Sequence, residues 1–442
     1  MPSFILWLTY YANSRAVPDG TPFMSAPILK VSIMNTVVNE TDPLYHTFQA
    51  QEKNDQEINR IAGLILRSEP TELRILRSTP DSIAQEDFDH IERQFVEADQ
   101  ALGIQTTFLY PSMESINHTG TLPYAHSLAV ESVGTRIKTI MQALRRMGIR
   151  ILNWIKSILE RVDRVIEGTY GRARKAKKLL EANARSIHVR EVSVEWVREL
   201  YDNGNRVTTN QELEALPGQL KRLLNVSMED SARTVEAFKT LFLDSTAQRE
   251  RVMAPVISNT DLKQISAKVE EGEMSRTYSL GFGIKGNRLQ IRRPFIEKPD
   301  FDPQGYAARV ITQKSGKVPR KVETLDVNAA INICTNIMDV IDEIRNTRKR
   351  FADMEKNIKA IVESEPKPGE NESSEFTERR RDLMAISKLL MGELGTVYKF
   401  IYISTRDLMD FIDVLLTNPR KLSTGKEKRI QTKQEAKAAA KV

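Results

Sequence analysis

Few residues in this chain have the types and spacing that catalysis or metal binding requires. Gly281, Gly283 and Gly286 match the glycine spacing of a dinucleotide-binding loop, but that loop works only where a strand leads through the glycines into a helix. Here the next residues alternate like a strand and reach Pro294, so the glycines predict a hairpin turn. The histidines and the single cysteine, Cys334, lack zinc-ligand spacing, and a buried thiol is expected. The sequence therefore predicts no catalytic site, no metal site and no cofactor.

Basic side chains form a more regular chemical pattern. From Val133 onward, apolar residues recur every three or four positions, which predicts an amphipathic helix of about 34 residues with Lys and Arg on its other face. An Arg/Lys run follows, and the C-terminal tail is also basic. Such groups neutralise phosphates or other anions. The predicted polyanion-binding residues are Arg136, Lys138, Arg145, Arg146, Arg150, Lys156, Arg172, Arg174, Lys175, Lys177, Lys178, Lys426, Lys428 and Arg429.

Three interpretations of this basic helix are open. The basic face is either the solvated side of a bundle helix, or a surface for an anionic membrane, or a surface for nucleic acid. Trp154 and the wide apolar face suit a helix lying on a membrane. The run from Arg172 to Lys178 and the basic tail favour contact with a polyanion, which would position the protein without reading a base sequence.

The charge of the chain changes sign near Glu131. Residues 1–131 hold 8 Lys/Arg against 17 Asp/Glu, and the remainder holds 57 against 42, so the net charges are −9 and +15. The reversal follows a stretch rich in Pro, Gly, Ser and Thr, Gly103 to Ser127, which predicts a linker. This pattern indicates either an acidic segment that accompanies or masks a basic body, or two unrelated domains with different surfaces.

The spacing of apolar residues predicts a mainly α-helical fold that positions these groups. Long amphipathic helices are expected to form a helical bundle or coiled coil, with Val327–Glu363 and Thr377–Leu416 paired antiparallel. Gly168 and Gly171 are expected to end the first long helix. A small β-hairpin is expected near residues 275–294, and a disordered basic tail closes the chain.

The predicted organisation has five regions. A short helix is also expected around residues 192–201, and loops are expected from Pro294 to Pro319. The regions are an acidic leader at 1–131, a basic helical domain at 132–270, a hairpin and loop region at 271–325, a long helical hairpin at 326–418 and the tail at 419–442.

This order of features resembles the internal head proteins of large tailed bacteriophages. An acidic leader, a basic amphipathic helix directly after it and a following Arg/Lys run carry the resemblance, which covers the general organisation of most of the chain. It implies a virion structural protein of the head interior, present in the host cytoplasm during assembly. Its implied partners are phage DNA or another polyanion, and capsid or scaffold proteins.

The resemblance also implies that a prohead maturation protease removes the leader. Such proteases favour a small residue, any residue and then Glu, which Ala129, Val130 and Glu131 match, so the expected cut precedes Ser132. Other tripeptides in the chain fit equally well. The coincidence with the linker and the charge reversal favours this one.

Two other functional classes fit the residues. One is an amphipathic helical protein that acts on membranes, such as a pore-forming or lytic component, although Lys399, Arg406, Asp407 and Asp410 argue against a spanning helix. The other is an intracellular scaffold that binds nucleic acid without any virus. Self-association through the long helices is compatible with each class.

Overall fold

A computed structural model of the protein describes most of the chain between residues 44 and 416. All of these residues lie in one compact unit, Val38–Val442. The predicted tail at 419–442, with Lys426, Lys428 and Arg429, lies outside the described residues. The structure describes residues 44–78, 96, 99–101, 122–183, 191–193, 201–202, 205–206, 210–244, 246–258, 261–282, 287–312, 321–323, 325–364, 372–413 and 416.

Helices dominate the described part of the chain, which confirms the predicted mainly α-helical fold. The last helix, α7, continues through a π-helical turn at Leu389–Leu394 into helical residues 395–413, and residues 372–413 are called the C-terminal helix below. The helices are α1 (Tyr45–Arg77), α2 (Leu122–Asn183), α3 (Asn210–Leu243), α4 (Arg249–Ser258), α5 (Leu262–Ile265), α6 (Val327–Glu363) and α7 (Glu372–Lys388).

The described strands form three small antiparallel sheets. Strands β4, β5, β6 and β7 make a four-stranded sheet in sequence order, while β1 pairs with β8 and β2 with β3. The predicted hairpin is confirmed as β5–β6, and it gains a strand on each side. The strands are β1 (Glu191–Ser193), β2 (Tyr201–Asp202), β3 (Asn205–Arg206), β4 (Ser266–Glu271), β5 (Ser275–Leu280), β6 (Asn287–Pro294), β7 (Ala307–Thr312) and β8 (Lys321–Glu323).

Helix α2 is 62 residues long, or roughly 90 Å. The prediction that Gly168 and Gly171 break it is wrong, because one buried stripe continues on both sides of them. A glycine costs about 1 kcal/mol in a helix relative to alanine, which this packing outweighs. The stripe recurs every 3.6 residues, the period of a straight helix rather than of a heptad. Its buried members include Leu144, Ile151, Ile155, Ile158, Val162, Ile166, Thr169, Ala173, Ala176 and Leu180.

Two expectations about local structure are wrong for the same reason. Where residues 192–201 are described, they form strand rather than helix, with Val192 opposite Val322 and Tyr201 opposite Arg206. The expected loops from Pro294 to Pro319 contain β7, which pairs with β6. In each case the segment pairs with a strand outside it, such as Val192 with Val322, and the spacing of the segment's own apolar residues does not reveal that partner.

The two long C-terminal helices pack antiparallel, as predicted. Thr347 on α6 shares a 2.8 Å hydrogen bond with the hydroxyl of Tyr398, and Cys334, nearer the start of α6, lies close to Asp413, nearer the end of the chain. Asp326 caps α6 by accepting a hydrogen bond from the Asn328 amide at 3.2 Å. Cys334 is a buried free thiol, and burial raises its pKa to about 12.

The apolar core joins residues from both sides of residue 131. Phe48, Ile58 and Ile65 of α1 belong to the same cluster as Leu144 of α2 and Ile401 of the C-terminal helix. Helix α1, which falls within the predicted leader, is therefore part of the folded body in this structure. Four acids of α1 also contact basic residues of the C-terminal helix.

Candidate functional site

Acidic residues of α1 pair with basic residues of the C-terminal helix, in antiparallel order. Early in α1, Glu52 pairs with Lys399 and Asp55 with Lys388. Later in α1, Glu69 Oε1 lies 2.6 Å from Arg381 Nη2, and Glu72 Oε2 lies 2.5 Å from Arg380 Nη1. The spacing of three residues places both acids of each set on one side of α1. These four pairs are called the charge ladder.

The inner end of the ladder is a buried cluster around Glu72. Its carboxylate also pairs with Arg136 of α2, which in turn contacts Asp99 at 3.2 Å. The side chains of Glu72, Arg136, Asp99 and Arg380 are at most 1% exposed. The hydroxyl of Ser68 donates a further hydrogen bond to Glu72 at 3.0 Å. Two acids from before residue 131, Glu72 and Asp99, therefore neutralise two arginines from after it in the protein interior.

Electrostatics keep the cluster ionised at its centre. Burial pushes the pKa of Glu72 upward, but the adjacent Arg380 and Arg136 outweigh it and hold that pKa below its usual range. Burial raises the pKa of Asp99 and lowers that of Arg136. Removing one partner of a buried ion pair costs about 3–5 kcal/mol, because the other charge is left uncompensated. Helix α1 is thus held to the body by charge as well as by apolar packing.

The π-helical turn of the C-terminal helix carries a second buried network. Glu393 accepts hydrogen bonds from Arg293 of β6, with Nε–Oε2 at 3.0 Å, and Arg293 Nη1 lies 2.8 Å from Asp230 of α3. Arg249 binds Asp382 at 2.6 Å, about two turns before the π-helical segment. Sequence reasoning missed these pairs. The available signal was a lone acid, Glu393, in an apolar run, since a buried charge requires a partner.

The predicted polyanion-binding residues of α2 fall into three groups. Half-buried Arg145, Lys156 and Arg172 engage Ser364, Glu355 and the pair Asp410 and Asp413, and Lys177 is also half-buried. Arg136 is buried against Glu72 and Asp99. The exposed members, none of which forms an ion pair with another described residue, are Lys138, Arg146, Arg150, Arg174, Lys175 and Lys178.

The position of Arg136 corrects the predicted basic face. It lies three residues after buried Val133 and four before buried Ile140, so it shares their face of the helix. The structure places it at 3% exposure, against the acids Glu72 and Asp99. Arg136 is therefore part of the leader contact in the intact chain, and its guanidinium does not face solvent.

The predicted cleavage residues lie inside α2. The linker expected up to Ser127 ends earlier than predicted, since the helix begins at Leu122 and runs through Ala129, Val130, Glu131 and Ser132. The side chain of Glu131 is exposed and that of Val130 is half-buried. The apolar spacing upstream of Val133 is weak, which is why the sequence placed the start of this helix too late.

The sequence of the chain matches a known protein family. The model of the phiKZ-like phage internal head proteins matches residues 50–271, half of the 442-residue chain. The chain belongs to this family. No curated protein and no solved structure matches it.

The family match identifies this internal head protein as a virion structural component of the phage head. It also bears on the site, because residues 50–271 begin within α1, cross the Glu131–Ser132 bond and end with β4. The acidic half of the charge ladder, from Glu52 to Glu72, lies inside the match. Its basic half on the C-terminal helix, together with β5, β6 and β7, lies outside.

The described part of the internal head protein contains neither a membrane-spanning helix nor a metal-binding cluster. None of its described helices combines the length and hydropathy needed to span a membrane. Across those same residues, no cluster of His, Cys, Asp or Glu has a geometry that could hold a metal ion.

Proposed function

We propose that this internal head protein is made with an acidic leader that neutralises its basic body, and that a maturation protease cuts between Glu131 and Ser132. The cut lets the cations that α1 neutralises contact packaged DNA. The charge ladder is the observation that carries this proposal, because α1 is paired there with four cations of the C-terminal helix, and Glu72 also pairs with Arg136 of α2. The proposed partners are DNA, the protease and the capsid or scaffold proteins of the prohead.

The ladder gives the leader a specific masking role. Acids of α1 neutralise five cations of the body, and loss of α1 would remove a carboxylate from each of them. Uncompensated buried charge is costly, so α1 should stay on the body after the cut until another polyanion replaces its carboxylates. DNA phosphates can make that exchange. The five cations are Arg136, Arg380, Arg381, Lys388 and Lys399.

The cut itself requires a local opening of α2. A helical peptide bond has its backbone hydrogen bonds made, so a protease that reads an extended segment needs residues around Glu131 to unwind first. The exposed Glu131 side chain is accessible for recognition. The cut would separate the acidic residues 1–131, with a net charge of −9, from a body with a net charge of +15.

The exposed cations of α2 supply a DNA contact that needs no unmasking. At about 100° per residue, all six lie within an arc of about 120° on the helix surface. The membrane alternative lacks comparable support, because the apolar side chains it needs, such as Leu144, Ile151 and Ile158, are packed in the core. Phosphate neutralisation therefore explains the exposed face better than insertion into lipid.

The proposal is tested by DNA binding before and after a controlled cut. A site for a specific protease is placed at residues 131–132 of the full chain, and binding to duplex DNA is measured against salt concentration. We expect the cut protein to bind more tightly with a steeper salt dependence, by about one unit of slope for each cation unmasked. Added DNA should release the leader. Equal affinity and slope before and after the cut would contradict the masking role.

A further inference from the structure

The four-stranded sheet carries a second basic surface, on strands rather than on helix α2. One face of the sheet packs against the helices and buries Tyr278, Leu280, Leu289 and Ile291. The alternate residues of the same strands point the other way. Three arginines on this outward face, Arg288, Arg292 and Arg309, are exposed. These three arginines lie outside the residues matched by the family, 50–271.

A row of polar side chains crosses the sheet at one register position. Lys268, Ser279, Gln290 and Arg309 are successive partners on β4, β5, β6 and β7. Arg309 Nε donates to Gln290 Oε1 at 3.0 Å, and Gln290 Nε2 donates to Ser279 Oγ at 2.9 Å. This chain of hydrogen bonds fixes the Arg309 side chain across the sheet and leaves its terminal guanidinium nitrogens outside these bonds.

The other two arginines flank this row on β6. Arg288 and Arg292 are four residues apart and on the same face, which separates their Cα atoms by about 13 Å. Arg292 donates to the carbonyl oxygens of Gly305 at 3.3 Å and Gln304 at 3.1 Å, so its side chain is also held in place. The spacing is comparable with the roughly 12 Å width of the major groove of DNA.

The outward face has little negative charge to neutralise these groups. Within the described residues, Glu270 is the acid on this face, and it pairs with Lys268 at 2.5 Å. None of the three arginines forms an ion pair with a described carboxylate. The face also presents no aromatic side chain among its described positions, so it offers no platform on which single-stranded bases could stack.

We propose that the outward sheet face binds the phosphate backbone of duplex DNA. Arginines, hydroxyls and amides are the groups that contact phosphates, and Arg288, Arg292 and Arg309 stand among Thr277, Ser279 and Gln290. The inference rests on the proposed DNA contact and adds a surface that α2 does not contain. The protein then presents phosphate-binding groups on two separate elements, which lets one copy hold two segments of packaged duplex.

The test compares three double variants of the full chain for binding to duplex DNA. Arg288→Gln with Arg309→Gln removes the sheet contact and spares Arg292, whose hydrogen bonds support a turn. Arg222→Gln with Arg251→Gln is the matched control, since both arginines are exposed on α3 and α4 and the change in net charge is identical. Arg174→Gln with Lys178→Gln removes part of the α2 face. Thermal unfolding verifies that each variant retains the wild-type fold.

The sheet variant is expected to bind DNA at least tenfold more weakly at 0.1 M salt, with a salt slope smaller by about 1.8, since each lost phosphate contact contributes about 0.9. The control should stay within about twofold of the wild type at the same salt. A sheet variant that binds like the control while the α2 variant weakens would overturn the sheet inference and leave the proposed function standing. No DNA binding by the wild type would overturn both. A loss of binding to anionic vesicles with unchanged binding to DNA would also overturn the inference.

Discussion

At the scale of single residues, Glu72 is the group on which the contact between α1 and the body depends most. Among the described residues, it is the one carboxylate that bridges arginines from two other helices, Arg136 of α2 and Arg380 of the C-terminal helix. Both arginines are buried, so water cannot solvate either guanidinium group if the carboxylate is lost. Outer pairs such as Glu52 with Lys399 differ, because Glu52 is half exposed and water can replace its partner.

Replacing Glu72 with glutamine is expected to lower the free energy of unfolding by about 3–5 kcal/mol, because buried Arg380 loses its counter-charge and buried Arg136 keeps only Asp99. The matched control on the same helix is Glu57→Gln, which breaks an exposed pair with Arg60. That change should cost less than about 0.5 kcal/mol. Urea unfolding followed by circular dichroism measures the free energy of unfolding of both variants. Equal losses of that free energy would show that the buried cluster stabilises the protein no more than an exposed pair does.

The pH dependence of the same residue has a definite sign. The pKa of Glu72 is lowered from its ordinary value of 4.5, so its contribution is present above pH 4.5 and is lost as the pH falls through the folded-state value. Asp382 acts oppositely, because burial raises its pKa to about 6 and its protonated form is favoured in the fold. The difference in unfolding free energy between wild type and Glu72→Gln isolates Glu72. That difference should shrink below pH 4.5, and a difference that grows there would refute the assignment.

At the scale of elements, close packing of α1 against the C-terminal helix explains the placement of glycines better than helix propensity does. A Cβ added at Gly395 would lie 2.3 Å from Gln51 Nε2, whereas one at Gly168 in α2 would meet nothing within 4 Å. Gln51 is buried and donates to the Met391 carbonyl at 3.1 Å. The glycine that matters is thus the one at the helix contact, and the two that the sequence marked as helix breakers lie in open space.

The substitution Gly395→Ala is therefore expected to destabilise the protein by about 1–3 kcal/mol, since Gln51 must leave its buried hydrogen bond. The substitution Gly168→Ala should instead stabilise it by about 0.5–1 kcal/mol through lower backbone entropy of the unfolded chain. Thermal unfolding of the two variants provides the comparison. A stabilising Gly395→Ala would mean that α1 does not approach the C-terminal helix this closely.

The helices and strands differ in how well the sequence predicts them. Apolar spacing gave the bounds of α6 at Val327–Glu363 and the β5–β6 hairpin, because both depend on neighbours close in sequence. It missed β1, whose partner β8 lies far along the chain, and β7, which pairs with β6 across the intervening residues 295–306. It also placed Arg136 on the solvent face, because its counter-charges, Glu72 and Asp99, lie in a part of the chain that was treated as separate.

At the scale of the whole molecule, the charge division seen in the sequence has a structural counterpart. The acidic leader does not lie apart from the basic body in the described residues, since α1 shares its core and its buried ion pairs. The division of charge at residue 131 could be read from the sequence, because net charge is additive along a chain. The cations that pair with the acids of α1 could not, since that pairing depends on the antiparallel packing of α1 on the C-terminal helix.

The N-terminus of the mature protein tests the central claim most directly. Protein from purified phage heads is digested and its N-terminal peptide is identified by mass spectrometry, with protein expressed alone as the uncut control. The account predicts a mature chain that begins at Ser132, with the acidic residues 1–131 absent or present only as a separate fragment. A mature chain that retains the Glu131–Ser132 bond, or that begins at a different position, would contradict it.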